Sequence, residues 1–399
     1  MKKDRKDSKP LAMRLLKLIL AVCLVVLPLG CGTVRMGNED TAGSNRHESR
    51  IGEAGRSAGG MTPEDEAIPR GGAVPDEGLS LDGRLSSAGI MPSHREGQSG
   101  GTVMPSRPIV LGFSQLGSES DWRNANSQSV KEAAKEAGIT LIFDNAEQSQ
   151  RKQFEAIRSF IRQKVDVIAI APVVQSGWEG ILDEIQEAGI PVIIVDRTVD
   201  TADASQYVTL IGSDFYEEGQ KAGKYVLDKM AASTGPIGIV ELKGTEGSTP
   251  SIDRGRGFHD TITGTDKFVF LGSEYADFTH EQGKDRMRSL LHQLGGDIDV
   301  LFSHNDDMAL GAIEAMEEYG LQPGKDIVIV SVDGTRKALE QLIKGKINCV
   351  VECNPLLGPN LMQAVNEIME GRTLPKRIVT PESVFTEVTA EREISSRKY

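Results

Sequence analysis

From Pro108 onward the chain alternates short, wholly apolar runs with amphipathic stretches, and this constrains its fold more than any other feature. PIVLGFSQ, ITLIFDN, DVIAIAP and PVIIVDR read as strands apolar on both faces. Helical segments separate them; in one, Phe154, Ile157, Ile161 and Val165 recur at three- and four-residue steps as a single stripe. Strands buried on both sides and divided by helices mark a parallel sheet covered on both faces. The pattern repeats through YVTLIGSD, GPIGIVEL, FVFLGSEYA, DVLFSHN and DIVIVSVDG. Two doubly wound α/β units suit this better than one very wide sheet. The chain is expected to finish with a helix near 335–344, the strand NCVVECN, a helix near 356–371 and a last strand near 377–389.

The segment before Pro108 is different in kind. Residues 1–10 are basic, residues 11–30 are apolar apart from Arg14 and Lys17, and Gly30 and Cys31 follow as a small residue and a cysteine. This is the layout of a bacterial lipoprotein signal with Cys31 as the lipidated residue, an uncleaved membrane anchor being the other reading. Either places the rest of the chain outside the cytoplasm, and acyl chains on Cys31 would tie it to the membrane. Residues 32–107 are rich in Gly, Ser, Glu, Arg and Pro and lack aromatics, which predicts a disordered tether with a reach of roughly 50 Å.

With a net charge of −13, the chain is a poor partner for nucleic acid. Of its four cysteines, Cys349 and Cys353 fall on one face of NCVVECN, about 13 Å apart if that run is one strand, which is too far for a disulfide. They read as small core residues, and neither they nor the histidines show zinc-ligand spacing.

Ligands of open α/β sheets bind beyond the carboxyl ends of the strands. The residues there are Glu119, Ser120, Asp121, Trp122 and Arg123 after the first strand, then Asp196 and Arg197, Asp253 and Arg254, Asn305, and Asp333. Planar Asp, Asn and Arg groups can each serve two neighbouring sugar hydroxyls, and a tryptophan can cover the apolar face of the ring. Two Asp–Arg couples, 196–197 and 253–254, would orient one another. Each residue has a plainer role open to it. Ser120 or Asp121 also suits a helix cap, Trp122 core packing, Asp253 and Arg254 a surface ion pair, and Asp306 and Asp307 the charges of a helix N-terminus. Catalytic patterns are lacking: there is no glycine-flanked nucleophilic serine, and GTEGSTPSIDRGRG lacks the ending of a phosphate loop.

The segments GFSQLGSESDWR, IAPVVQSGWEGIL, PVIIVDRTVD, VELKGTEGS, SIDRGRGF, SHNDDMALGAIEAM, LQPGKDIVIVSVDG and VVECNP, in this order, resemble the periplasmic sugar-binding proteins of the ribose-binding type, and within them the galactofuranose-binding branch. The resemblance implies a type I periplasmic binding protein fold, with two Rossmann-like lobes joined by three crossings near 213–214, 352–354 and 380–385. The lobes would be 108–213 plus 353–381 and 214–352 plus 382–391. It implies one monosaccharide in the cleft, no cofactor, no enzymatic activity, a monomer and an ABC-importer permease as membrane partner, with a sugar sensor facing a receptor kinase as the alternative. The ligand set it implies is Glu119, Ser120, Asp121, Trp122, Arg123, Asp196, Arg197, Arg254, Asn305 and Asp333, with Glu352 near the second crossing as a further candidate. Asp121 stands where the galactofuranose branch carries glycine, which leaves the accepted sugar open.

Overall fold

The computed structural model describes residues 107–264 and 266–399; the expected signal, Cys31 and nearly all of the expected tether lie outside them. The first sheet is built from β1 (Val110–Gln115), β2 (Thr140–Asn145), β3 (Val167–Ile170), β4 (Val192–Val195), β5 (Thr209–Gly212) and β11 (Arg377–Val379), in the order β2-β1-β3-β4-β5-β11. The second contains β6 (Ile237–Lys243), β7 (Phe268–Tyr275), β8 (Val300–Ser303), β9 (Val328–Asp333), β10 (Cys349–Glu352) and β12 (Val384–Thr386), in the order β7-β6-β8-β9-β10-β12. All pairings are parallel except β10 with β12. The expected final strand is therefore two short strands in different sheets, followed by α10 (Glu387–Glu393). Pro381 lies between them, and a residue with no backbone N–H cannot continue a ladder.

The two-sided apolar character of the strands is used in full. Val167, Ala169, Ile193 and Val195 pack on one face of the first sheet with Val130 of α1 (Asp121–Glu136) and Leu361 and Val365 of α9 (Gly358–Met369). Their neighbours Ile168, Ile170, Val192 and Ile194 pack on the other with Ile157 and Phe160 of α2 (Gln150–Gln163) and Leu182 of α3 (Glu179–Glu187). The second sheet divides likewise between α4 (Phe215–Lys229) with α5 (Thr249–Ile262) and α6 (His280–Leu294), α7 (Asp306–Glu318) and α8 (Arg336–Ile343). Each large side chain so buried contributes roughly 1.5–3 kcal/mol. Cys349 and Cys353 are buried free thiols of this second core.

Two glycines determine how closely α4 and α5 approach. A Cβ on Gly219 would sit 2.2 Å from the Arg254 carbonyl oxygen, and one on Gly257 would sit 2.1 Å from that of Tyr216. The near-contact of these helix backbones lets a side chain of α4 reach one of α5. The chain passes between sheets three times: after Gly212, after Glu352, and between Val379 and Val384.

Candidate functional site

The carboxyl ends of the two sheets face one small cavity, with about 280 Å³ of empty space that is partly open to solvent. Its walls include Glu119, Ser120, Trp122, Arg123, Asp196 and Arg197 from the first unit and Arg254, Asn305 and Asp333 from the second. The loops carrying these groups begin beside the switch points of both sheets, where strand order reverses at β1/β3 and β6/β8.

In the first wall Ser120 is the N-cap of α1, its side chain accepting from the Arg123 N–H. Arg123 then projects inward. Its Nη2 donates to Asp196 Oδ2 at 2.7 Å and its Nε to Glu119 Oε1 at 3.2 Å. Arg197 donates through Nη1 to the Val173 carbonyl at 2.8 Å and lies over the Phe278 ring. Burial and the neighbouring Arg123 charge bring the Arg197 guanidinium down to about 10. Three atoms here are buried without a hydrogen-bond partner among the described residues: Glu119 Oε2, Arg123 Nη1 and Arg197 Nε.

In the second wall, Arg254 donates from Nε to Glu218 Oε2 and from Nη1 to the His304 carbonyl, both at 2.6 Å. Its Nη2 lies 3.7 Å from Asp333 Oδ1. Despite burial, Glu218 and Asp333 raise its pKa, so it stays charged. Asp333 is pushed well up by burial, against the pull of Arg254. Asn305 caps α7, accepting from the Met308 N–H, while its Nδ2 donates to the Phe278 carbonyl at 3.1 Å, which leaves one amide hydrogen free.

Asp196 and Asp333 both have positive φ, +65° and +125°. The left-handed region is mildly unfavourable for Asp, whereas the Asp333 value belongs to territory glycine normally occupies. Such strain costs on the order of 1–3 kcal/mol and persists where the surroundings impose it. Here it aims two carboxylates into one cavity.

Several side chains lie elsewhere than the sequence suggested. Asp121 does not line the cavity: its carboxylate stands 2.6 Å from Lys337 Nζ across the rim, and its backbone N–H donates to Asp307 Oδ2 at 3.2 Å. The partner of Arg254 is Glu218 of α4, while Asp253 pairs with Arg256 at 3.1 Å. Glu352 pairs with Arg397 at 2.6 Å and is not a lining residue. Asp306 is a buried brace, accepting from Ser331, Gly334 and Thr335. Trp122 does two jobs, lining the cavity and packing into the core of the second unit, with its indole N–H donating to the Cys353 carbonyl at 2.6 Å. Sequence reasoning missed Phe215 and Phe278, the apolar walls under Arg254 and Arg197.

Around the rim the two units touch. The Gln175 N–H donates to the Gly247 carbonyl at 2.9 Å, and that of Thr198 to Thr249 Oγ1 at 3.2 Å. With the Asp121 contacts these bonds hold the cavity shut. Asp307, lifted to about 7 by burial and then by the Asp121 charge, is part of this closure. The Asp121–Lys337 bridge is substantially exposed, so Asp121→Ala is expected to weaken ligand affinity by less than about fivefold, a difference that calorimetry should find lost in about 0.5 M salt.

Comparison with known proteins shows which family shares this fold. A family model described as "Periplasmic binding protein domain" matches residues 111–373. The galactofuranose-binding protein YtfQ of Escherichia coli is 37% identical over 73% of this chain and 92% of its own length. A solved Mycobacterium smegmatis protein in complex with β-D-fucofuranose is 49% identical, with TM-score 0.72, over 73% of this chain and 95% of that one. The binding protein of an arabinose ABC transporter from Shewanella, bound to arabinofuranose, is 44% identical, with TM-score 0.70, over 73% and 96%. With two doubly wound sheets closing charged strand ends around one cavity, the chain belongs to the periplasmic binding protein family, among its sugar-binding members of the ribose-binding type.

Proposed function

We propose that this protein is the extracytoplasmic sugar-capturing subunit of an ABC importer and that its ligand is a five-membered-ring monosaccharide, galactofuranose or a close relative. The observation that carries the reading is the cavity wall itself, where unpartnered donors (Arg123 Nη1, Arg197 Nε) and an acceptor (Glu119 Oε2) share one small space. Each buried polar atom without a partner costs on the order of 1–3 kcal/mol, and a ring bearing hydroxyls, each able to donate and accept, offsets several at once. Trp122, Phe215 and Phe278 supply apolar surface for the C–H faces. The furanose form is supported by the three relatives described above, each named or described with a five-membered-ring sugar.

Capture works by differential contact. A sugar bridging Arg123 and Asp196 on one side and Arg254, Asn305 and Asp333 on the other favours the closed arrangement only by what it gains there beyond the open one. The closed pair of units is the form presented to the permease. Cys31, outside the described residues, carries the lipid that keeps this monomer at the membrane.

Thermal-shift and calorimetric titrations with L-arabinose, D-galactose and D-fucose, which hold a furanose fraction in solution, test the ligand class. They are expected to raise the unfolding midpoint, while the methyl pyranosides of the same sugars, locked in six-membered rings, leave it unchanged. Equal binding of the methyl pyranosides would overturn the furanose assignment.

A further inference from the structure

All three crossings between the sheets meet at one largely buried polar cluster, which touches the sugar cavity only through Cys353. Ser213 comes from the first crossing, Cys353 and Asn354 from the second, and Thr380 and Glu382 from the third. The Ser213 hydroxyl donates to Glu382 Oε1, and the Asn354 N–H donates to the same oxygen at 3.2 Å. One ligating atom each of Glu218, Cys353 and Glu382 lies within 4.8 Å of the others. Glu218 is fully buried; its Oε2 is taken by Arg254, and its Oε1 has no donor among the surrounding groups.

Two ionised carboxylates this close, one fully and one partly withdrawn from water, repel, and Glu218 Oε1 would then be a buried acceptor left bare. One proton removes both problems. Carried on Glu382, whose Oε1 is already committed to Ser213 and Asn354, it turns that carboxyl into the missing donor. We propose that Glu218 and Glu382 share a proton that pins the three crossings together and positions Arg254, through Glu218, for its grip on the sugar. Glu218 and Glu382 are thus positioning residues.

The other charged groups around Glu382 fit this assignment. From α4, Lys221 directs its ammonium to the Glu382 backbone carbonyl at 3.4 Å, not to the carboxylate. Arg377 of β11 is occupied by the Ser213 carbonyl at 2.8 Å, and Arg254 of α5 reaches Glu218. The Cys353 thiol is held neutral, its pKa raised well up by burial and then by the charge of Glu218. With no cation on its own carboxylate, Glu382 is raised to about 9 by burial first and then by Glu218. A carboxyl raised in the folded state adds stability that is complete at low pH and is lost as pH climbs through that value. Ionised, Glu382 would release Ser213 and Asn354 and loosen the crossings.

The test uses the whole protein and Glu382→Gln, which keeps a neutral donor in place. Infrared difference spectra, wild type minus variant, near neutral pH are expected to show one carbonyl stretch of a protonated carboxylic acid, beyond the bands of other protonated carboxyls such as Asp333 that both proteins share. Between about pH 6 and pH 9.5 the wild-type unfolding midpoint should fall several degrees further than that of the variant. Should Glu382→Gln not fold, Glu382→Asp serves instead, since a shorter acid retreats from Glu218 and shifts the band. A sugar titration adds a functional arm, which rests on the proposed ligand class: from pH 7 to about pH 9, L-arabinose affinity should drop severalfold further in wild type than in the variant. Failure of L-arabinose to bind at pH 7 counts against the ligand class alone, because the infrared arm needs no sugar. An unchanged infrared band in the variants, or parallel pH profiles, would overturn the shared proton. So would stoichiometric Zn²⁺ raising the wild-type midpoint but not the variant's, since Glu218, Cys353 and Glu382 would then be metal ligands.

Discussion

Arg254→Lys is expected to cost at least about a hundredfold in sugar affinity, roughly 2.7 kcal/mol, in calorimetric titration. The guanidinium holds Glu218 through Nε and the His304 carbonyl through Nη1, and leaves Nη2 for Asp333 and, in the binding mode proposed above, the sugar. A lysine ammonium carries the charge but not the fork, so it cannot keep those contacts while facing the cavity. The buried Glu218 and Asp333 carboxyls then draw the single cation away from the sugar. Arg254→Ala goes further. It leaves the partly ionised pair uncompensated, and breaking a buried ion pair from one side costs roughly 3–5 kcal/mol. It should lower the unfolding midpoint as well as abolish binding. A lysine variant that bound sugar with wild-type affinity would remove Arg254 from the site.

The second large effect belongs to Asp196. It lies between two buried guanidinium groups, 2.7 Å from Arg123 Nη2 and 3.9 Å from Arg197 Nε. Without it the two cations face each other, partly relieved by Glu119 alone, and Arg197 is already brought down to about 10 by burial and by Arg123. Asp196→Ala is therefore expected to destabilise the protein by roughly 3–5 kcal/mol, a fall of about 10 °C in the unfolding midpoint for a unit of this size. Asp196→Asn should recover part of that, because an amide oxygen still accepts from Arg123 without neutralising it. A midpoint within about a degree of wild type for Asp196→Ala would mean that Arg123 and Arg197 are hydrated and that the wall is not built as described.

The strands and their α/β order were legible because a buried parallel strand leaves an uninterrupted apolar run, as in VIIV and VIAI. The same rule failed at 377–389, where two short apolar pairs, Ile378-Val379 and Val384-Phe385, stand either side of Thr380–Ser383 and belong to different sheets. Most of the wall was legible too, since strand ends announce themselves: Asp196, Arg197, Asn305 and Asp333 follow apolar runs within a few residues, and Arg123 lies on the first helix turn after the first one. Glu218 was not, because one glutamate among several on a helix carries no marker of burial. Its signal was indirect. Gly219 and Gly223, one turn apart on α4, mark a face that lets another backbone approach, and the partner buried there had to be the neighbouring helix with its arginine. Asp121 misled for the opposite reason. Its place in a ligand loop is real, yet as the first residue of α1 it faces the rim, where Lys337 meets it. Sequence adjacency also suggested the couple Asp253–Arg254, but neighbours in a helix point about 100° apart and cannot face one another.

A crystal structure of the protein grown with a sugar that raises its unfolding midpoint tests the bridging arrangement most directly. The ring is expected inside the cavity, with hydroxyls within hydrogen-bond distance of Arg123 or Asp196 on one side and of Arg254, Asn305 or Asp333 on the other. A sugar bound outside that cavity, or one touching the residues of a single sheet only, would contradict capture by closure.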